Sequence, residues 1–171
     1  HSANKLLRSY WNKIDRVIYG KAAERKNMRV PRWCFAQEGS DSENFHVHFV
    51  MKSALPETQS MCCLLNAVWA QHHAQTAPLT KNWIMPVTDR TAVAAYLTRE
   101  YWRMGSDTFL DAMSWDDQTA ANVFNDYNHL KQAQRIQRAA SPLWLKQAQQ
   151  ALNTQQARYE ACGDLQIMER G

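Results

Sequence analysis

The strongest constraint on the fold of this chain is a short run, residues 45–50, in which phenylalanines and valines alternate with two histidines. Successive side chains of a β-strand point to opposite faces, so His46 and His48 share one face, and Phe45, Val47, Phe49 and Met51 share the other. The alternation therefore predicts a strand that buries its apolar face. Two imidazoles on the opposite face are well placed to hold a metal ion, although histidines there can also be ordinary surface residues.

A second β-type run, residues 30–37, precedes the histidine strand. The residues between them, 39–44, have the turn-forming composition of a hairpin loop. A hairpin would bring Glu38 to the same site as the two histidines, and two imidazoles with a carboxylate form a plausible catalytic site for a divalent metal. Asp41 and Glu43 are alternative donors, but their loop position is typical of solvated charges, so Glu38 is preferred.

A helix is predicted over residues 89–105, because Thr88 or Asp89 can cap its start and Gly105 suits its end. Helical spacing separates an apolar stripe from a polar one. The apolar stripe contains Val93, Leu97, Tyr101 and Met104, and the polar stripe contains Tyr96, Arg99, Glu100 and Arg103. Tyr101 is thus expected to pack. Tyr96 is either a surface tyrosine or a nucleophile, which would need a metal or nearby positive charge because a phenol has a reference pKa of about 10.

The His-hydrophobe-His strand, the acidic residue eight positions before it and the helical Tyr-x-x-Arg motif resemble the HUH endonucleases, a superfamily of rolling-circle replication initiators, relaxases and related transposases. Over roughly residues 1–105 the chain looks most like a replication initiator of a phage, plasmid or integrated element. The resemblance implies an α+β fold with a central antiparallel sheet and flanking helices. It also implies that His46, His48 and Glu38 bind Mn²⁺ or Mg²⁺ and that Tyr96 is the nucleophile. The family usually has lysine at the position of Arg99, which keeps the positive charge and can contact phosphate through two nitrogens.

By this resemblance the protein is expected to be a metal-dependent, site-specific endonuclease and strand transferase acting on single-stranded DNA. Tyr96 would form a 5′-phosphotyrosyl link and so initiate rolling-circle replication. The expected partners are single-stranded DNA at a replication origin or hairpin, and a host helicase and polymerase. Two alternatives stay open: a metal-dependent hydrolase that uses bound water, and a non-catalytic DNA-binding module.

The net charge is only +4, but nine basic residues lie within residues 1–32 against Asp15 and Glu24. Such a basic segment is suited to contacts with DNA phosphates, although its charges can also be the solvated side of an amphipathic helix. Tyr10 and Tyr19 are interleaved with the charges and are candidates for base stacking, while Trp11 is expected in the core. The predicted DNA-binding residues are Arg8, Lys13, Arg16, Lys21, Arg25, Lys26, Arg29, Arg32 and Arg103.

The remaining pattern predicts helices over residues 6–19, 56–74, 119–139 and 141–162, and a strand over residues 82–87. Residues 1–105 are expected to form the nuclease core, with the first strand of the family missing or upstream. Residues 106–171 are expected to form a helical extension that packs on the core or on a partner. No phosphate-binding loop of the Walker type is present, so a helicase would have to be another domain or protein.

Composition narrows the class further. No apolar run approaches the roughly 20 residues needed to span a bilayer, and no signal-peptide pattern is present. A cytoplasmic protein with no membrane partner is therefore expected. The four cysteines have no zinc-ligand spacing and are interpreted as free thiols in a reducing compartment.

Overall fold

The computed structural model describes residues 2–37, 46–73, 82–98, 108–116 and 126–168. These residues form helices and a two-stranded antiparallel sheet, which confirms the α+β class. The helices are α1 (Ser2–Tyr19), α2 (Ala22–Arg25), α3 (Thr58–His73), α4 (Arg90–Thr98), α5 (Asp126–Ala139), α6 (Pro142–Met168) and a 3₁₀ turn (Asp111–Met113), and the strands are β1 (Arg32–Gln37) and β2 (His46–Met51). None of the described helices is long and apolar enough to cross a membrane.

The chain divides into two compact units, each made of two segments. The first unit comprises His1–Ala54 and Val87–His129, and the second comprises Leu55–Pro86 and Leu130–Gly171. This grouping differs from the predicted division at residue 105. The difference arises because α3 packs against α6, so that an early helix and the last helix share one unit.

The predicted hairpin forms the centre of the first unit. β1 and β2 are antiparallel, with Phe35 opposite His48 and Trp33 opposite Val50. On its other edge β1 meets Trp115, whose backbone exchanges two hydrogen bonds of 2.8 and 2.7 Å with Arg32. A second bridge joins Phe35 to Phe109. β1 therefore has backbone partners on both edges, which fixes its position within the unit.

Helix α1 covers one face of the hairpin. Ile14, Ile18 and Trp11 are buried along it, and the Trp11 ring centroid lies 5.0 Å from that of Phe49 on β2. The core position predicted for Trp11 is thus confirmed. Tyr10, in contrast, is only 2% exposed, so the structure does not support its predicted role in base stacking. Its ring lies against Trp11, because the apolar side of α1 is wide enough to bury both.

A buried ion pair connects α1 to β1. The carboxylate of Asp15 is fully buried and accepts hydrogen bonds from both terminal nitrogens of Arg32, at 2.7 and 2.8 Å, and from the backbone N–H of Val30. The Arg32 guanidinium also lies 4.7 Å from the centroid of the Trp11 ring, within the range of a cation–π contact. The structure does not support the predicted DNA contact of Arg32, because this guanidinium is buried and occupied within the protein.

The second unit is built on α3 and α6. Nearly all of α3 from Met61 onward is buried, and Ala148 and Leu152 of α6 are buried as well. The thiol of Cys63 lies 3.1 Å from the side-chain oxygen of Gln149 across the helix pair.

Burial raises the pKa of the Cys34 thiol in the first unit to about 12 and that of Cys62 to about 11, so both thiols stay protonated at neutral pH.

Several element predictions need correction, the first two being that α1 begins at Ser2 rather than at residue 6 and that β1 begins at Arg32 rather than at residue 30. α3 begins at Thr58 rather than at Pro56, and α6 continues through Gly163 to Met168 because one glycine costs a helix only about 1 kcal/mol. The predicted strand at residues 82–87 is irregular. There the side-chain amide of Gln155 accepts from the N–H of Ile84 and donates to the carbonyl of Asn82, replacing the partner that a strand would need.

We expect Asp15→Asn to lower the free energy of unfolding by about 3–5 kcal/mol, because it leaves the buried Arg32 guanidinium without a counter-charge. Urea denaturation measures the loss. The matched control is Glu24→Gln, which breaks the exposed ion pair with Arg16 and should cost less than about 1 kcal/mol. Equal losses in the two variants would contradict a special role for the buried pair.

Candidate functional site

The pairing register defines a surface that we call the histidine face, formed by Trp33, Phe35, His46, His48 and Val50. Residues that lie directly opposite each other in an antiparallel pair share a face. The ring centroids of His46 and His48 are 4.9 Å apart, and the ring planes meet at 71°. His46 is exposed and His48 is half-buried. The shared face predicted for the two imidazoles is confirmed.

Helix α4 brings Tyr96 to this face. The carboxylate of Asp89 accepts hydrogen bonds from the N–H groups of Thr91 and Ala92, at 2.9 and 3.0 Å, and so caps the start of the helix as predicted. Leu97 is buried, whereas the adjacent Tyr96 is 47% exposed. The Tyr96 ring centroid lies 5.0 Å from that of His48, with the planes at 77°. A tyrosine distant in the sequence is therefore in contact with one of the candidate metal ligands.

The described residues supply two of the three predicted metal ligands. Glu38 lies outside them, as do Tyr101, Arg99 and Arg103. Within the described ranges no group of three or more histidine, cysteine, aspartate or glutamate side chains is arranged to hold a metal ion. The two imidazoles fit a mixed nitrogen and oxygen ligand set, since they share a face and their rings are close. Glu38 is the residue that directly follows β1, whose last residue, Gln37, pairs with His46.

Five of the predicted DNA-binding residues, Arg8, Lys13, Arg16, Arg29 and Arg32, line two grooves beside α1. A groove of about 380 Å³ runs along α1, and a second groove of about 320 Å³ adjoins it through the shared residues Arg8 and Asn12. We call the two together the basic groove. Its cationic residues with exposed or half-buried side chains are Lys5, Arg8, Lys13, Arg16 and Arg29, against one lining carboxylate, Glu24. Arg32 also lines it, but its guanidinium is buried and bonded to Asp15. The predicted contacts Lys21, Arg25 and Lys26 are exposed but do not line it.

The two surfaces are on opposite faces of the same hairpin. Arg32 and Phe49 both contact Trp11 of α1. In the strand register their side chains lie on the face opposite the histidine face. Tyr96 contacts His48 on the histidine face itself. The basic groove therefore lies on the side of the hairpin away from the imidazoles. This arrangement separates the positive charge of α1 from the candidate reaction centre.

Trp33 is a residue of this site that was not predicted from the sequence. It lies on the histidine face, yet it is 48% exposed even though β1 has strand partners on both edges. The alternation of side chains along β1 could have predicted its position. Trp33 is two residues before Phe35, so the two share a face, and Phe35 pairs with His48. A large exposed indole beside the imidazoles adds an apolar surface to an otherwise polar site.

No protein-family model matches the chain, and no match was found among curated proteins or solved structures. The assignment of this site therefore depends on its residues and their geometry.

We expect the double variant His46→Ala/His48→Ala to raise the Kd for Mn²⁺ by more than about 100-fold, since it removes two nitrogen ligands and loss of outer-shell partners alone costs 10- to 100-fold. Isothermal titration calorimetry measures the affinity. His72→Ala, which removes an exposed imidazole near the end of α3, is the control and should bind Mn²⁺ as the wild type does. Unchanged Mn²⁺ affinity in the double variant would contradict the metal site.

Proposed function

We propose that this protein is a metal-dependent endonuclease and strand transferase that nicks single-stranded DNA through Tyr96. The observation that carries the proposal is the contact between the Tyr96 ring and His48, at 5.0 Å between centroids, beside His46 on the same face. A nucleophilic phenol needs a cation nearby, and the two imidazoles offer a place for one. Tyr96 is 47% exposed, so a DNA strand could reach its side chain.

In this proposal His46, His48 and Glu38 hold the divalent ion. Mixed nitrogen and oxygen ligands suit Mn²⁺, and Mg²⁺ serves at cellular concentrations. A bound ion of this kind polarises the scissile phosphate as a Lewis acid. The protein residues do the rest: the histidines orient the phosphate beside Tyr96, and Arg99 contacts a phosphate oxygen and favours the phenolate.

The proposed chemistry is a transesterification. The Tyr96 hydroxyl loses its proton and attacks phosphorus, and the bond between phosphorus and the 3′ oxygen breaks as that oxygen takes up a proton. The products are a 5′-phosphotyrosyl link and a free 3′ hydroxyl, from which a polymerase can extend. Attack by a DNA hydroxyl on the link rejoins the strand. A free 3′ end made in this way is the primer that rolling-circle replication at an origin requires.

The basic groove supports a nucleic-acid substrate independently of the chemistry. Cationic side chains along α1 suit the phosphate backbone, which carries most of the affinity in protein–DNA complexes. Because the groove and the histidine face lie on opposite sides of the hairpin, a bound DNA would contact two faces of the first unit. Affinity and cleavage should therefore be separable by mutation.

The proposal predicts that wild-type protein mixed with labelled single-stranded oligonucleotide and Mn²⁺ gives a covalent protein–DNA adduct on a denaturing gel. Tyr96→Phe removes one oxygen and should abolish both nicking and adduct, with little change in stability because the ring is half-exposed. Tyr101→Phe is the matched control and should retain both activities.

Each other outcome identifies a different function. Cleavage without adduct, and at a similar rate in Tyr96→Phe, would indicate a hydrolase that uses bound water. Retarded but uncut DNA on native gels would indicate a non-catalytic binding module. Adduct mapped to Tyr101 would leave the reaction class intact and move the nucleophile.

The basic groove generates a second prediction. The double variant Arg8→Ala/Lys13→Ala should bind single-stranded DNA more weakly, and the slope of log K against log salt should fall by about 1.4, since each phosphate contact contributes about 0.7. Fluorescence anisotropy in EDTA at several salt concentrations measures the slope without cleavage. The control Lys146→Ala/Arg158→Ala removes the same charge from exposed positions on α6. An equal change in both variants would show that only net charge matters.

A further inference from the structure

Among the described residues of the histidine face, Trp33 is the exposed one to which the proposed chemistry gives no role. Its indole is 48% exposed, almost as exposed as Tyr96 at 47%. The other aromatic residue of β1 on this face, Phe35, is buried against Phe109, with ring centroids 5.5 Å apart. The fold thus covers one aromatic ring of the strand and leaves the next one open on the same side.

The backbone around Trp33 is well fixed. β1 is bonded to β2 on one edge, and on the other edge Arg32 and Cys34 bond to Trp115 and Leu110. The Arg32 side chain, on the opposite face, is held by Asp15 and α1. An indole on such a strand is presented to solvent at a defined position, so a ligand that packs on it costs the protein little backbone entropy.

The spacing between Trp33 and the imidazoles along the hairpin can be compared with the spacing of bases in a DNA strand. Trp33 pairs with Val50, and His48 pairs with Phe35, two residues further along β1. Two residues of a strand span roughly 7 Å. Stacked bases of one DNA strand are about 3.4 Å apart, so this distance corresponds to about two nucleotides.

We infer that Trp33 is a base-binding residue: its indole stacks on an unpaired base of the substrate strand, one to three nucleotides from the phosphate at Tyr96. The choice of DNA as the ligand rests on the proposed nuclease function. The contact that Trp33 adds on the histidine face is with a base rather than with a phosphate. An aromatic platform binds any base through its π-face, and it requires that the base be unpaired. Trp33 therefore selects single-stranded over double-stranded DNA at the reaction centre, while the basic groove binds phosphates on the other face.

The test uses the full chain in EDTA, so that binding is measured without cleavage. A set of single-stranded oligonucleotides of one sequence carries one abasic site at successive positions along the strand, or one 2-aminopurine at the same positions. With wild-type protein, one abasic position should raise Kd about tenfold, the usual effect of losing one stacked base. At that position 2-aminopurine fluorescence should be quenched on binding.

Three variants place the effect on the indole. Trp33→Thr keeps the β-propensity of the strand and removes the ring, so it should raise the Kd for intact DNA about tenfold. In this variant the abasic substitution should cause no further increase in Kd. Trp33→Phe keeps a ring and should recover most of the affinity and the quenching. Trp83→Ala is the matched control, because Trp83 is 54% exposed and lies in the second unit, and it should bind DNA as the wild type does.

The outcomes distinguish this inference from the proposed function. If no abasic position weakens binding to wild-type protein, or if Trp33→Thr and the abasic substitution weaken binding additively, Trp33 does not stack on a base. If the Kd of wild-type protein is the same for every abasic position, the stacking contact is overturned even if Trp33→Thr folds poorly, because that measurement does not use the variant. A wild-type adduct together with a flat abasic scan keeps the nuclease and overturns the stacking contact. A position-specific scan without any adduct keeps the stacking contact and overturns the nuclease.

Discussion

The ion pair between Asp15 and Arg32 is the interaction on which the rest of the first unit depends. It joins the C-terminal part of α1 to the first residue of β1, and the same carboxylate accepts a hydrogen bond from the N–H of Val30 just before the strand begins. Burying two charges is costly unless each is fully hydrogen-bonded, and here the guanidinium also donates to the carbonyls of Val30 and Met113. This network sets which face of the hairpin α1 covers. The imidazoles are consequently left on the other face.

Local patterns in the sequence were enough to predict much of this arrangement. The alternation around His46 and His48 predicts the strand and the shared face. Helical spacing places Tyr96 on the polar stripe and Leu97 on the apolar stripe, in agreement with the exposed Tyr96 and the buried Leu97. Both predictions depend on periodicity within one element. Periodicity could not predict the contact between Tyr96 and His48, because contacts between distant elements are set by tertiary packing; the resemblance to a family implied only that both residues serve one site.

The failures have the same physical origin. Arg32 and Tyr10 carry the residue types of a nucleic-acid surface, yet both are buried, because Asp15 and Trp11 supply partners that composition cannot reveal. Residues 82–87 have strand-like composition, but the amide of Gln155 satisfies their backbone from a distant helix. The exposure of Trp33 cannot be predicted from the sequence, because a tryptophan in a strand is buried or exposed according to which face of the sheet the covering helix occupies.

The pairing of β1 with β2 has a consequence for how sequences of this type can change. Because side chains alternate with a period of two, a shift of β2 by one residue would turn both imidazoles toward α1 and bring the apolar residues to the open face. The contact of Phe49 with Trp11 opposes such a shift. Insertions and deletions after Glu38 and before residue 45 are therefore compatible with the proposed site at any length that preserves this pairing. A single-residue insertion between His46 and His48 would instead turn the two imidazoles to opposite faces of the strand.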